Sequence, residues 1–552
     1  MPISALPLRS FSAIALLALG ACARPSTTAP TPVMQPPITV SPPADPPAAE
    51  PAPKVEQGPD SALADWHRRA FETDGVLGIG SERAIRELLG NRTPKRQVIV
   101  AVIDGGLDTT HAMLRGVAWK NAKEIAGNGR DDDRNGYVDD TWGWNTLATP
   151  TGETIGPETF EVTRVYAACR GQPAGRGIAK PSATRCDSVS AAYQEKVQEV
   201  TGTLQQVRNI GAALDRVVAT LTPLLNGQPL TTATVRAIPA STPPVQQAKS
   251  MFLQLAANDI TPDVISEARK VYESQAKYSL DTLYQPRGAM LGIGSRDVMG
   301  PDASHGTHVA GIIGAVRNGQ SLVQGIAPNV QLMTVRAVPD GDERDEDVAR
   351  AIRYAVDNGA QIINMSFGKA WSPSKAVVDS AVRYASSKGV LLVHAAGNEA
   401  ANNDVDPSFP TPVYTDGTRA THWLEVGASS WKGQDQLVAP FSNYGQSRVD
   451  LFAPGVDILS TVPGGGVKRE SGTSMAAPVV SGVAALLMAY FPSMTALQAK
   501  EIMLSTVRTF PDLQVVLPGS PQRVPFARLS RTGGLVDAYA AVKKALDMER
   551  VP

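Results

Sequence analysis

At 552 residues, with 52 basic and 53 acidic side chains, the chain carries a formal charge of −1, too balanced for charge-driven binding of nucleic acid or of an acidic partner. Its 43% apolar residues supply an ample core and exclude disorder of the whole chain, and the length fits three or four domains or one large α/β domain with insertions. Past the amino-terminal leader, no apolar run is read as long enough for a membrane span.

The amino terminus reads as a targeting segment. Met1 to Arg9 carries one basic and no acidic residue, and Phe11 to Leu19 is an apolar stretch too short to span a bilayer but of signal-core size. Leu19-Gly20-Ala21-Cys22 resembles the bacterial lipoprotein box. That implies a signal peptide over residues 1–22, acylation of Cys22 and anchoring to a lipid bilayer of the cell envelope. An ordinary signal peptide cut near Ala21 or Ala23 is the alternative. Residues 23–61 follow as a tether: 12 of the 43 prolines fall between Pro25 and Asp60 with no aromatic among them, so no core can form there. With Cys22 lipidated, Cys169 and Cys186 remain as a pair, expected in an oxidising compartment as a disulfide or else as two free thiols.

From Trp66 on, strand-like and helix-like stretches alternate. Gln97 to Ile103 is a β-branched apolar run that predicts a buried parallel strand ending at Asp104-Gly105-Gly106. Asp131 to Asp140 then places oxygen-bearing residues at alternate positions with Gly136 sixth, as in the first half of a calcium loop. Asp131, Asp133, Asn135, Tyr137 and Asp139 are the candidate ligands of a structural Ca2+. Trp142 stands twelfth, where an EF-hand has a bidentate Glu, so a shorter loop is expected. Residues 155–295 break the alternation. Tyr193, Val197, Val200, Leu204, Val207, Leu214, Val217 and Leu221 stripe one long helix, and Val264 to Tyr278 offers a second helical face, which predicts a helical insertion. Strand-like runs resume at Val330 to Val335, Ile362 to Met365, Val390 to His394 and Leu424 to Val426. Helices are expected over Asp345 to Asp357, Ala376 to Ser387, Leu497 to Val507 and Val536 to Leu546. The alternation predicts one α/β domain over residues 62–548 around a mainly parallel sheet.

Three distant segments carry chemistry: Val102 to Gly106, His305-Gly306-Thr307-His308, and Gly472-Thr473-Ser474-Met475-Ala476-Ala477-Pro478. A serine hydroxyl becomes a nucleophile when a neutral imidazole takes its proton, and the imidazole needs a carboxylate to fix its tautomer and stabilise its charged form. Singly, the segments read as a turn, a metal pair and a helix cap. Together, in the order Asp, His, Ser, they resemble the subtilisin-like serine proteases of peptidase family S8, over about Val98 to Leu546 apart from the insertion. The resemblance implies a three-layer fold and an endopeptidase that cleaves polypeptide substrates through an acyl-enzyme on Ser474, with His305 as general base and Asp104 orienting it. It also implies that Asn398, in Ala395-Ala396-Gly397-Asn398, donates to the oxyanion, and that Ser366, Phe367 and Gly368 form the edge on which substrate pairs. His308 is read as structural, and zinc is disfavoured for want of a Glu after His305 and of a third ligand.

One departure concerns Asp104. The family places Ser or Thr after this Asp, and Gly105 has no hydroxyl with which to support the carboxylate. Competing readings are a non-catalytic peptide binder on the same fold and an esterase or peptide ligase on the same triad. With His305 as base, activity is expected to fall as pH drops through roughly 6 to 7. About 200 residues separate Asp104 from His305, against a few tens in the family. Both ends of the insertion therefore emerge at the cleft rim, where it either faces solvent or screens the groove.

Overall fold

The structure, a computed structural model, describes residues 63–550 apart from 150, 176, 177, 179, 240, 258, 259, 288–293, 319 and 320. The signal, tether and Cys22 readings lie outside the described residues. The strands, in chain order, are β1 (Val98–Asp104), β2 (Gly143–Asn145), β3 (Val330–Arg336), β4 (Ile362–Met365), β5 (Leu391–Ala395), β6 (Trp423–Ser429), β7 (Leu451–Pro454), β8 (Ile458–Val462), β9 (Gly466–Glu470), β10 (Arg508–Thr509), β11 (Gln514–Val516), β12 (Arg523–Pro525) and β13 (Gly534–Leu535). Nine of them form one sheet in the order β10-β13-β7-β6-β5-β4-β1-β3-β2, parallel except for the edge pair β10–β13. The short edge strands and the β8–β9 hairpin carry too few apolar residues to be read from pattern alone.

The residues of β1 are almost all buried because helices cover both faces of the sheet, which explains continuous apolar runs rather than alternation. The helices used below are α1 (Glu161–Cys169), α2 (Ala183–Leu221), α3 (Pro243–Ala256), α4 (Pro262–Ser274), α5 (Ser304–Gly314), α6 (Asp345–Asp357), α7 (Lys375–Ser387), α8 (Thr473–Tyr490), α9 (Ala496–Ser505) and α10 (Ala538–Arg550). One face packs against α5, α8, α9 and α10 through a core that includes Val100, Leu332, Ile313, Val480 and Leu487. The other packs against α6 and α7 through Ile103, Met333, Ile352 and Val382. Helix α8 is long and apolar enough, by length and composition, to cross a membrane, which corrects the expectation that no such run follows the leader. All 18 of its residues are buried, so its apolar character on every side belongs to a core helix.

Helices α1 to α4 lie between β2 and β3. Helix α2 runs 39 residues, about 60 Å at 1.5 Å per residue. With α3 and α4 it builds a separate core of Val207, Leu214, Phe252, Leu255, Ile265 and Ala268. Cys169, at the end of α1, is joined by a disulfide to Cys186 in the first turn of α2.

The helices are rooted in the α/β body by buried charges. Glu161 pairs with Arg164 at 2.7 Å and with Lys369 at 2.7 Å, and Lys369 reaches Asp345 at 2.8 Å. Glu158 takes Arg344 at 3.0 Å and Arg287 at 3.4 Å, and Arg287 also meets Asp347 at 2.5 Å. Burial alone would push Glu161 up. The charges of Arg164 and Lys369 outweigh it and hold the carboxyl down at about 2.

Candidate active site

Asp104 ends β1 between its two parallel neighbours, opposite Arg336 of β3 and one residue past the Ile103–Met365 register with β4. Strand order reverses direction here, and this is where open α/β sheets form a ligand crevice. His305 enters from the first turn of α5. Its Nδ1 stands 2.9 and 3.0 Å from the two Asp104 oxygens. Gly306 permits this approach, because a Cβ there would meet the Gly106 carbonyl at 2.1 Å and the Asp104 Cβ at 3.1 Å. The Asp104 side chain is buried and that of His305 is 14% exposed, so the imidazole alone of the pair reaches solvent. Burial lowers the His305 pKa. The charge of Asp104 and its hydrogen bond more than offset this, Glu470 adds to the pull, and the net shift is upward from 6.5.

Ser474 sits in the first turn of α8, off the end of β4 and so one strand over from Asp104. Its position follows from Pro478. Four residues on, proline has no N–H to give the Ser474 carbonyl, and the hydroxyl of buried Ser366 fills that acceptor at 2.8 Å. Asn364 Nδ2 steadies Ser366 Oγ at 2.9 Å, and Ser481 of α8 donates to Asn364 Oδ1 at 2.9 Å. The Ser474 hydroxyl itself donates to the Ser366 carbonyl at 3.2 Å, so a side-chain rotation is needed to aim it at His305, as is common in unliganded sites.

Asn398 follows β5. Its Oδ1 accepts from both the backbone N–H and the hydroxyl of Thr473, at 2.9 and 3.0 Å. That fixes the amide so that Nδ2 is left as a donor beside Ser474. Gly397, at φ +108°, allows the turn, since a Cβ would strike Asn443 Nδ2 at 2.3 Å. Gly368 is exposed on the continuation of β4, Phe367 is buried edge-on to His394, and Lys369 then pairs its backbone with Phe409 in both directions.

His308, one turn past His305, is fully buried with Nε2 3.0 Å from the carbonyls of both Ile458 and Lys468. Carbonyls only accept, so the ring is a donor there. Burial lowers its pKa, which keeps it neutral, and it ties α5 to the β8–β9 hairpin.

The acidic loop is gathered differently from the sequence pattern. Carboxylate oxygens of Glu124, Asp131 and Asp133 lie within 4.8 Å of one another. Glu124 is 6% exposed, and its Oε2 is buried without a hydrogen-bond partner, whereas Oε1 accepts from the N–H groups of Asp132 and Asp133. Asp131 and Asp133 of the expected ligands stand in this cluster, and the other three make the following contacts. Asp139 spends both oxygens on the N–H groups of Gly127, Asn128 and Gly129 and on Arg296. Asn135 turns its oxygen onto the Tyr137 N–H and its amide onto Asp140. The Tyr137 ring stacks edge-on against Trp144 and Tyr354. Glu124 escaped notice because it lies upstream of the alternating run. Arg336 was missed too: a single cation at the end of an apolar strand has no pattern around it.

The arrangement can transfer an acyl group: a serine, an imidazole with its carboxylate, and an amide donor converge on one edge of the sheet. The Subtilase family profile matches residues 95–533. The thermophilic serine proteinase of Bacillus sp. (strain AK1) is 42% identical over 185 residues, 33% of this chain and 42% of that protein. Alkaline elastase YaB of Bacillus sp. (strain YaB) is 39% identical over 203 residues, 37% of this chain and 49% of its own length. Subtilisin BL of Lederbergia lenta is 37% identical over 203 residues, covering 37% of this chain and 69% of that protein. The matched part thus spans less than half of the first two relatives.

Proposed function

Since the chain belongs to the subtilase family, we propose that it is a serine endopeptidase acting through Ser474, His305 and Asp104. The observation that carries this reading is the Asp104–His305 hydrogen bond at the strand end beside Ser474 and Asn398. A polypeptide lies along Ser366 to Gly368 by main-chain hydrogen bonds. Ser474 Oγ attacks the scissile carbonyl as His305 takes its proton, and Asp104 stabilises the imidazolium. Asn398 Nδ2 and the Ser474 N–H, unpaired in the first turn of α8, meet the oxyanion. His305 then protonates the leaving amine, and water reverses the sequence on the acyl-enzyme. A fluorophosphonate probe should label the wild type on Ser474, and Ser474→Ala should lose both labelling and several powers of ten in peptide hydrolysis. Equal hydrolysis by purified Ser474→Ala would remove the assignment, and a labelled protein without peptidase activity would favour the esterase reading.

Glu124, Asp131 and Asp133 are proposed to hold a structural calcium. All three are oxygen donors, which suit a hard cation, and the unpartnered Glu124 Oε2 is a buried acceptor that a cation would satisfy. An ion bound there would neutralise the three carboxylates and tie residues 124–133 together.

Export and anchoring are proposed from the sequence of residues 1–22 alone: acylated Cys22 would hold the enzyme at an envelope membrane through the proline-rich tether. Cys22→Ser should move the protein from the detergent-extracted to the soluble fraction.

A further inference from the structure

Among the described residues, helix α4 makes two polar contacts with the α/β body. Near its carboxyl end Ser274 Oγ donates to Asp340 Oδ2, and Glu267 Oε2 accepts from Lys468 Nζ at 3.2 Å. Seven positions, two helical turns, separate Ser274 from Glu267, so both lie on one face, about 10 Å apart along the axis. The body points that they reach flank the catalytic pair. Asp340 closely follows Ala337 and Val338, whose N–H groups donate to the Asp104 carbonyl at 3.0 and 3.2 Å. Lys468 lies on β9, where its carbonyl accepts from His308, one turn beyond His305. Its ammonium also stands 3.5 Å from Glu470, whose charge acts on His305. A helix resting on both points runs past the His305 rim of the groove, and Lys270 and Val271 occupy the face between its contacts.

The packing of α4 makes it a wall rather than a flap. Ile265 and Ala268 are buried in the core of the inserted helices, and Glu273 pairs with Arg208 of α2 at 3.0 Å. The whole assembly is rooted through Glu158, Glu161, Arg164 and Arg287 in buried ion pairs. Both side chains of the Glu267–Lys468 pair are more than 40% exposed, so that contact steers α4 more than it holds it.

We propose that α4 narrows the groove to the width of an extended chain, so that the substrates are flexible, unfolded polypeptide segments and folded protein surfaces are excluded. This refines the substrate class of the peptidase proposed above and rests on that reading. An extended segment lies within about 5 Å of the strand it pairs with. A folded domain about 30 Å across would have to displace α4 to bring a peptide bond within about 3–3.5 Å of Ser474 Oγ.

The test compares kcat/KM on a tetrapeptide anilide with kcat/KM on one globular protein, both folded and reduced and alkylated. Replacing residues 181–274 by a short Gly/Ser linker retains Glu158, Glu161, Arg164 and Arg287. It should raise cleavage of the folded protein at least tenfold relative to the tetrapeptide; equal factors for the two would overturn the proposal. A second measurement keeps the chain whole. In a Cys22→Ser background, exposed Lys270→Cys coupled to a bulky maleimide should slow cleavage of the unfolded protein at least fivefold more than the same label at exposed Gln228→Cys, beyond the far end of α2. The same effect at both positions would overturn it. Failure of the wild type to cut the tetrapeptide would instead count against the peptidase reading.

Discussion

Arg336 Nε donates to the carbonyl of Gly105 at 2.7 Å. The same buried guanidinium donates to Asn145 Oδ1 at 3.1 Å and to the Ile155 carbonyl at 2.7 Å, so one cation joins the Asp104 turn to β2 and to the start of the inserted helices. Burial brings its pKa down to about 10 despite the charge of Asp297, and at neutral pH it remains protonated. The Gly105 N–H in turn donates to Asp104 Oδ1 at 2.7 Å. With no hydroxyl at position 105, Asp104 is supported there by the Gly105 backbone N–H, and Arg336 holds that peptide from its carbonyl side.

Arg336→Met should therefore lower kcat by about tenfold to a hundredfold, the scale of a misplacement of about 1 Å, with a smaller change in KM. A merely structural role would lower stability alone. Steady-state kinetics and Tm on the same preparation separate the two, and an unchanged kcat in a folded variant would deny Arg336 any part in positioning Asp104.

The pH dependence follows from His305. Its pKa is raised, the base in the proposed mechanism must be neutral, and activity should therefore be present above that pKa and lost as pH falls through it. The half-maximal point should lie above the ordinary histidine value of 6.5. Asp104→Asn should move it down while cutting kcat by about four powers of ten. A pH–kcat/KM profile flat to pH ~5 would contradict the general-base role.

Calcium dependence should trace to Glu124. Chelation should lower the Tm of the wild type, because a ligand at about 100 times its Kd adds about 2.7 kcal/mol. Glu124→Gln should melt at the same temperature with and without chelator. An identical chelator response in both proteins would place any metal elsewhere.

Lys369 is fully buried against Glu161 and Asp345, and its removal leaves two buried carboxylates short of a partner. Lys369→Met should cost about 3–5 kcal/mol. The folded pKa of Glu161, about 2, lies below its ordinary value of 4.5. Its contribution is therefore present above pH 4.5 and is lost as pH falls through 2. Without Lys369 that pKa rises, and acid unfolding should set in at a higher pH, as circular dichroism against pH would show. Coincident acid transitions would mean that Lys369 does not hold Glu161 ionised.

The sheet strands that position the site were legible because each is a local run. Val98 to Asp104 and Ile362 to Met365 announce themselves by continuous β-branched residues, and helix α6 by three acids in its first turn. The Ser474 motif was legible for the same reason. Its glycine, serine and proline act within one turn of helix, where Pro478 frees the carbonyl that Ser366 then satisfies. The long helix α2 showed as a periodic stripe, although the bounds of the stripe fell short of its start at Ala183.

What the sequence determined by itself, then, was the class of fold and the order of the triad segments, because periodicity and short motifs are properties of neighbouring residues. Only the tertiary structure decided what joins them. Arg336 meets Gly105 across 231 positions, Lys369 meets Glu161 across 208, and Lys468 meets Glu267 across 201. The surroundings of the acidic loop were decided there as well, since Asp139 accepts from the N–H groups of Gly127, Asn128 and Gly129 and buried Glu124 is brought beside Asp131 and Asp133. Each of these contacts depends on how helices and strands pack, and a side chain's partners in space leave no period along the chain.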